Sequence, residues 1–275
     1  MKSNLFIHMI TIAVIAVFWG CSNDDDLNEE VLPQYDRADS MNADYLRQLG
    51  NIRVSIEQTA KLNKLLFDKG FSYNSSLLMS SSKSFGNSKQ QAMGLGAIGA
   101  DLNYATVYEQ SQDAMNYTKA LMDVANKLGI GSAFDEELLN KMTSNDSTIN
   151  KSILLTKAYL RAEDQLFNEE RAHLATLMSV GGWIEGLSIS TSIGKTKPVG
   201  NEINSGIWSQ AYTYNNIIAM LKIFKDSSPD CAEVLNELIG LEPKINAVVR
   251  QGNLNEEQIN NLNTAVTDLK NKLMN

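Results

Sequence analysis

Histidine and cysteine are almost absent from this chain, with two of each among 275 residues. His8 lies inside an N-terminal apolar run, so a chain trimmed behind that run keeps His173 alone, which excludes sites built on two imidazoles such as H-E-x-x-H zinc. Cys21 and Cys231 stand far apart, and with Cys21 consumed as described below no intrachain disulfide is possible; packing must hold the fold. The four prolines, at 33, 198, 229 and 243, leave long stretches free to be helical. Basic residues are outnumbered 24 to 32, for a formal charge of -8. Such a surface repels phosphate backbones, and nucleic acid is excluded as a partner.

What is present begins with an apolar run over residues 5–19 behind a single early charge at Lys2, closing on Phe18-Trp19-Gly20-Cys21. A spanning helix needs ~20 apolar residues, and this run is shorter and carries His8 and Thr11. Gly20 beside Cys21 is the small residue that a lipoprotein signal peptidase requires. The segment therefore reads as a signal peptide over residues 1–20, removed to leave Cys21 as the lipid attachment point, with two or three acyl chains for a stable hold. Its loss takes Lys2 and no acid, moving the charge from -8 to -9. Residues 21–40, rich in Asp, Asn and Glu with Pro33 inside, read as a flexible tether. A helical bundle domain is expected over residues 41–275.

Apolar spacing predicts helices nearly everywhere beyond the tether. The first runs over about 41–68, with Leu46, Leu49, Ile56, Ala60 and Leu66 near one face and Gly70 past its end. Residues 72–88, rich in serine, read as a loop with a short turn near Leu77. A second helix is expected unbroken over 89–128, ended by Gly129, then a short helix over 135–142 and a long one over 148–166. Ile153, Leu160, Phe167 and Leu174 recur every seven residues, but a helix continuous to Gly194 would reach about 70 Å at 1.5 Å per residue. Asn168, followed by Glu169 and Glu170, is expected to break it as an N-cap. Further helices are predicted over 169–193, 202–224, 230–239, 243–250 and 255–274.

Two segments hold more glycine than a helix tolerates at about 1 kcal/mol each: residues 94–100, Gly-Leu-Gly-Ala-Ile-Gly-Ala, and residues 181–186, Gly-Gly-Trp-Ile-Glu-Gly. Close approach of two helix backbones is the expected return, and cleared space beside a site is the alternative. The first spells GxGxxG, yet no strand precedes it and no βαβ pattern surrounds it, so it is not a nucleotide loop. Each is followed by an acid, Asp101 or Glu185 respectively, and then by small polar residues. The pair therefore suggests two pseudo-repeated helical hairpins in an all-α antiparallel bundle.

The stretch from Gly99-Ala-Asp-Leu-Asn-Tyr-Ala-Thr-Val-Tyr108 through Ala125-Asn-Lys-Leu-Gly129, and Gly181-Gly-Trp-Ile-Glu-Gly-Leu187, resemble segments of uncharacterised helical lipoproteins of Bacteroidota with no assigned activity. The resemblance covers about the middle half of the chain and implies a helical fold and an envelope location; it carries no catalytic residue across. Asp24-Asp25-Asp26 behind the anchor is similar to the acidic export tag of surface lipoproteins in the same group. Together these imply a protein held by lipid to the outer membrane, surface-exposed or facing the periplasm.

No catalytic, metal or cofactor set survives counting. Glu170-Arg-Ala-His173 matches the E-x-x-H spacing of di-iron bundles, but no second copy faces it. The G-x-H-x-x-E motif of imelysin-type lipoproteins is matched only at His173. Cys231, beside Ala232 and Leu235, reads as a buried inert thiol. Glu163-Asp164 and Asp135-Glu136-Glu137 read as helical surface charge. Trp183, Trp208, Tyr212 and Tyr214, on two consecutive helices, read by default as core fillers with polar handles; a ligand or partner groove of Trp183, Glu185, Trp208 and Tyr212 is the alternative. The expected role is thus binding or scaffolding with an envelope protein partner and without enzyme activity. Capture of a small solute or glycan in the aromatic groove is the alternative, and a hydrolase using acids alone is third.

Overall fold

The computed structural model describes residues 40–144, 146, 149–195, 201–251 and 254–274; within its helices a few side chains, that of Tyr212 among them, lie outside the description, as does Cys21. The described residues contain eleven α-helices and no strand: α1 (Ser40–Asp68), α2 (Ser88–Val107), α3 (Ser111–Lys127), α4 (Glu136–Thr143), α5 (Lys151–Asn168), α6 (Ala172–Gly194), α7 (Asn201–Tyr212), α8 (Tyr214–Phe224), α9 (Pro229–Ile239), α10 (Glu242–Gln251) and α11 (Glu256–Met274). They form an all-α bundle within one compact unit, Ala38–Asn275.

Side-chain caps start many of these helices. Asn87, Asp135, Asn150 and Ser228 each accept a hydrogen bond from a first-turn N–H, and Pro229 follows Ser228 where its missing N–H costs nothing. Asn255 and Gln258 cap each other reciprocally.

Three breaks differ from expectation. The helix expected over 89–128 is two, because Glu109 adopts a left-handed backbone at φ 57°. There Gln110 N–H returns to the Ala105 carbonyl and Glu109 N–H to Thr106, the double bond that closes a helix end. Glu170 does the same at φ 60°, with Arg171 N–H on Leu166. The junction near Asn168 is therefore real, but Asn168 is the last residue of α5 rather than an N-cap, and α6 begins at Ala172. Gly70 and Gly129, both at φ 75°, close α1 and α3 with the same bonds. The third break divides the helix expected over 202–224 at Thr213. The Trp183 indole N–H donates to the Gln210 carbonyl there at 2.7 Å, inserting a side chain into the helical ladder.

The axis of the fold is α6, buried on every face, against α2, buried from Ala92 to Ala105 at nearly every position. A Cβ on Gly96 would overlap the Met178 carbonyl, and one on Gly181 would overlap the Met93 backbone, so the two helices touch main chain to main chain. Close packing is thus what the glycines serve. Gly94 and Gly99 give their space to the rings of Phe85 and Tyr159. The hydroxyls of α6 stay satisfied in this apolar setting by bonding the carbonyl four residues back, as Thr176, Ser179, Ser190 and Thr191 do.

Directions follow from the pairings. Met93 meets Gly181 and, further along both helices, Asp101 meets Glu185, so α2 and α6 run the same way. Asn63 bonds Asn103 and Phe67 packs on Tyr108, so α1 also runs parallel to α2. Parallel neighbours need a long return. Residues 71–87 supply it as an extended strap that retraces α2 in reverse: Tyr73 stacks on Tyr104, Met79 reaches Asp101, and Phe85 covers Gly94.

Candidate functional site

Beneath the strap lies the most unusual chemistry of the described residues. Asp101 of α2 and Glu185 of α6 are both fully buried and close enough to shift each other's ionisation. Their meeting is a direct result of the glycine contact, which brings the two helices close enough for short acids one turn further on to touch. Asp101 Oδ2 accepts the Met79 N–H at 3.1 Å, and Glu185 Oε1 accepts Lys270 Nζ of α11 at 2.6 Å. The remaining oxygens, Asp101 Oδ1 and Glu185 Oε2, receive no N–H or hydroxyl from the described residues. A single proton held between the two acids would satisfy both.

The electrostatics agree. Burial, and next the Glu185 charge, push the Asp101 carboxyl well above the ordinary carboxylate range. Burial also raises Glu185, while Lys270 and the bond from Asp101 act the other way. Burial and the neighbouring charge thus favour the protonated form of Asp101, while Glu185 faces Lys270. Burial, then Lys270, lower Lys83 on the strap, with Glu185 opposing. Tyr117 of α3 completes the surround, donating to the Met79 carbonyl at 2.7 Å.

A second buried carboxylate lies behind the glycine contact on α6. Glu163 of α5 accepts Arg53 Nε of α1 at 3.2 Å and the Ser179 hydroxyl at 3.2 Å, while Arg53 also reaches Asp164 at 3.0 Å. Burial outweighs Arg53 and raises Glu163 to about 7. Glu163 was expected as surface charge; it is a core residue instead, because the guanidinium crosses from α1 to meet it. Asp135, by contrast, is a surface N-cap paired with Arg161.

Trp183 is packed into the core, so no open aromatic groove forms around it among the described residues. Trp183 is 6% exposed, bonded to Gln210 and 6.2 Å from the Tyr214 ring. Glu185, two residues on, faces Asp101 and Lys270 instead, so the two do not line one wall. Trp208 is half-buried against the core, and the side chain of Tyr212 lies outside the described residues. Cys231 is buried with its thiol toward the His173 carbonyl at 3.8 Å, and burial pushes it up to about 11. His173 is lowered, mainly by burial.

Asp101 gave one sequence signal, its place behind a glycine run matched by Glu185. Lys270 and Arg53 gave none, since nothing local marks which lysine or arginine will be drawn inside. Among the described residues no group of three or more His, Cys, Asp or Glu is placed to hold a metal ion, and no helix is long and apolar enough to cross a membrane. No protein-family model, curated protein or solved structure matches this chain.

Proposed function

We propose that the chain is a lipid-anchored helical module of the cell envelope, attached through Cys21 to the outer membrane, that acts by binding a partner protein rather than by catalysis. One observation supports the binding role above the rest: the groups best suited to acid–base or nucleophilic chemistry are turned inward and already engaged. Asp101, Glu163, Glu185 and Cys231 are fully buried, each against a partner within the fold. A domain arranged in this way presents helix surfaces, not a reactive cleft. The anchor and the acidic tag behind it support the location, and they restrict partners to proteins of the envelope.

Native mass spectrometry on the mature protein, extracted gently from its own membrane, tests this directly. A copurifying protein retained at constant ratio is expected. A reproducible small-molecule mass, lost in Trp183→Ala, would replace the reading with solute capture, and bare monomer would count against both. Acylation at Cys21 is checked in the same spectrum: the mass of the acyl groups is expected, and Cys21→Ser should abolish both it and membrane retention.

A further inference from the structure

The strap and the acids it covers form one device. Residues 71–87 contain a single short 3-10 turn, at Ser75–Leu77, and bury only Met79 and Phe85. The neighbours of Asp101 and Glu185 off the strap, Tyr117, Tyr159 and Lys270, stand on α3, α5 and α11. The strap is held by Met79 N–H on Asp101, Tyr117 on the Met79 carbonyl, Tyr73 on Asp113 at 2.7 Å, Asn74 N–H on the Tyr104 hydroxyl at 3.3 Å, and Lys270 on the Leu77 carbonyl at 3.5 Å. Several of these holds are made by, or next to, the groups that share the proton.

We propose that residues 71–87 are a proton-controlled cover, seated while Asp101 and Glu185 hold one proton between them and lifted when that proton passes to a base in solvent. With the proton present, a single carboxylate charge faces Lys270 and Lys83 and needs no water. Without it, two carboxylates face each other in a dry site, a repulsion that buried acid pairs escape by taking up a proton or admitting water. Water enters through the thinnest wall, and that wall is the strap.

The charged and titratable neighbours do not supply another remedy. Lys270 from α11 is already engaged by Glu185. Lys83 rides on the strap and bears on Glu185, with its own charge disfavoured by burial and by Lys270. Tyr117 from α3 and Tyr159 from α5 stay neutral, each pushed up by burial. The Met79 N–H favours an ionised Asp101, but it is one hydrogen bond against burial and a second carboxylate, and it ranks last among the influences on that acid.

Opening that releases one proton grows about tenfold per pH unit wherever the closed form keeps the proton and the open form does not. Hydrogen exchange on the full chain, read over peptides from residues 71–87 and corrected for the intrinsic rise of exchange with base, should show that slope in the strap and not in α6. Asp101→Asn keeps an acceptor for Met79 and a donor for Glu185 without a proton to lose, and should remove the slope. Should that variant not fold, Glu185→Gln, which donates to Asp101, makes the same prediction. A flat corrected rate in the native chain, an equal slope in α6, or an unchanged slope in the folded variant would each overturn the proposal.

Discussion

The two buried acid sites, one on each side of the glycine contact, solve the same problem differently. Around Glu163 the counter-charge is a guanidinium that enters from the rim, with Arg53 21% exposed and Asp164 15% exposed, so part of the cluster remains hydrated. Around Asp101 both acids are sealed, with Lys270 on Glu185, and the proposed shared proton supplies the rest of the balance. Arginine keeps its charge at any accessible pH, whereas a shared proton can leave. The first site therefore keeps its cation at every pH, even where Glu163 takes up a proton of its own, whereas in the second the neutraliser itself can depart. A buried carboxylate is thus not one kind of object; what it does depends on whether its neutraliser can depart.

The largest test breaks both sites at once. Gly96→Ala places a methyl group against the Met178 carbonyl and the Gly182 amide, backbone atoms that cannot swing aside. We expect roughly 4 kcal/mol or more of lost stability by urea unfolding. The double variant with Gly181→Ala should cost far less than the sum, because both disturb one contact.

Next comes the pH dependence of the Glu163 site. Its acid binds a proton more tightly folded than unfolded, so raising the pH from the ordinary value of 4.5 to about 7 removes stability, and above that window both states are ionised. At ~1.4 kcal/mol per unit the loss is on the order of 3 kcal/mol. Glu163→Gln should flatten the stability profile in that window, measured by denaturant midpoints across pH. An unchanged profile would mean that Arg53 and water hold Glu163 ionised throughout.

Arg53→Met separates the two sites. It should cost about 2 kcal/mol above pH 7, discounted for the partial exposure of Arg53, and less below, where Glu163 carries its own proton. The slope of strap opening should be untouched. The smallest effect lies outside both sites: Glu109→Gly removes a left-handed non-glycine residue and should raise the thermal midpoint through a gain of about 0.5 kcal/mol. A loss instead would show that the Glu109 side chain holds the α2–α3 turn.

Much of the helical layout could be read from spacing and caps, because those signals are local. Gly70 and Gly129 announced their helix ends, and the serine-rich loop and its turn lay within two residues of where they were expected. Glu109 announced nothing, since its left-handed backbone is imposed by the packing of α2 against α3 and not by its own preference. Thr213 was equally silent, because the cause of that break is an indole from another helix. Trp183 was legible as a core filler with a polar handle, but which carbonyl that handle would hold, Gln210 on another helix, was not.

The sequence by itself determined an all-α chain, the presence of two glycine-rich helices that had to meet something closely, and an acid set just behind each. Whether those acids would face solvent or one another, and which lysine would join them, was decided only by tertiary structure. Asp101, Glu185 and Lys270 stand on three helices far apart in the chain, and no local pattern records a partner at that distance. Their pairing exists because two backbones touch, and the touching excludes the water that would otherwise have kept both acids ionised and apart.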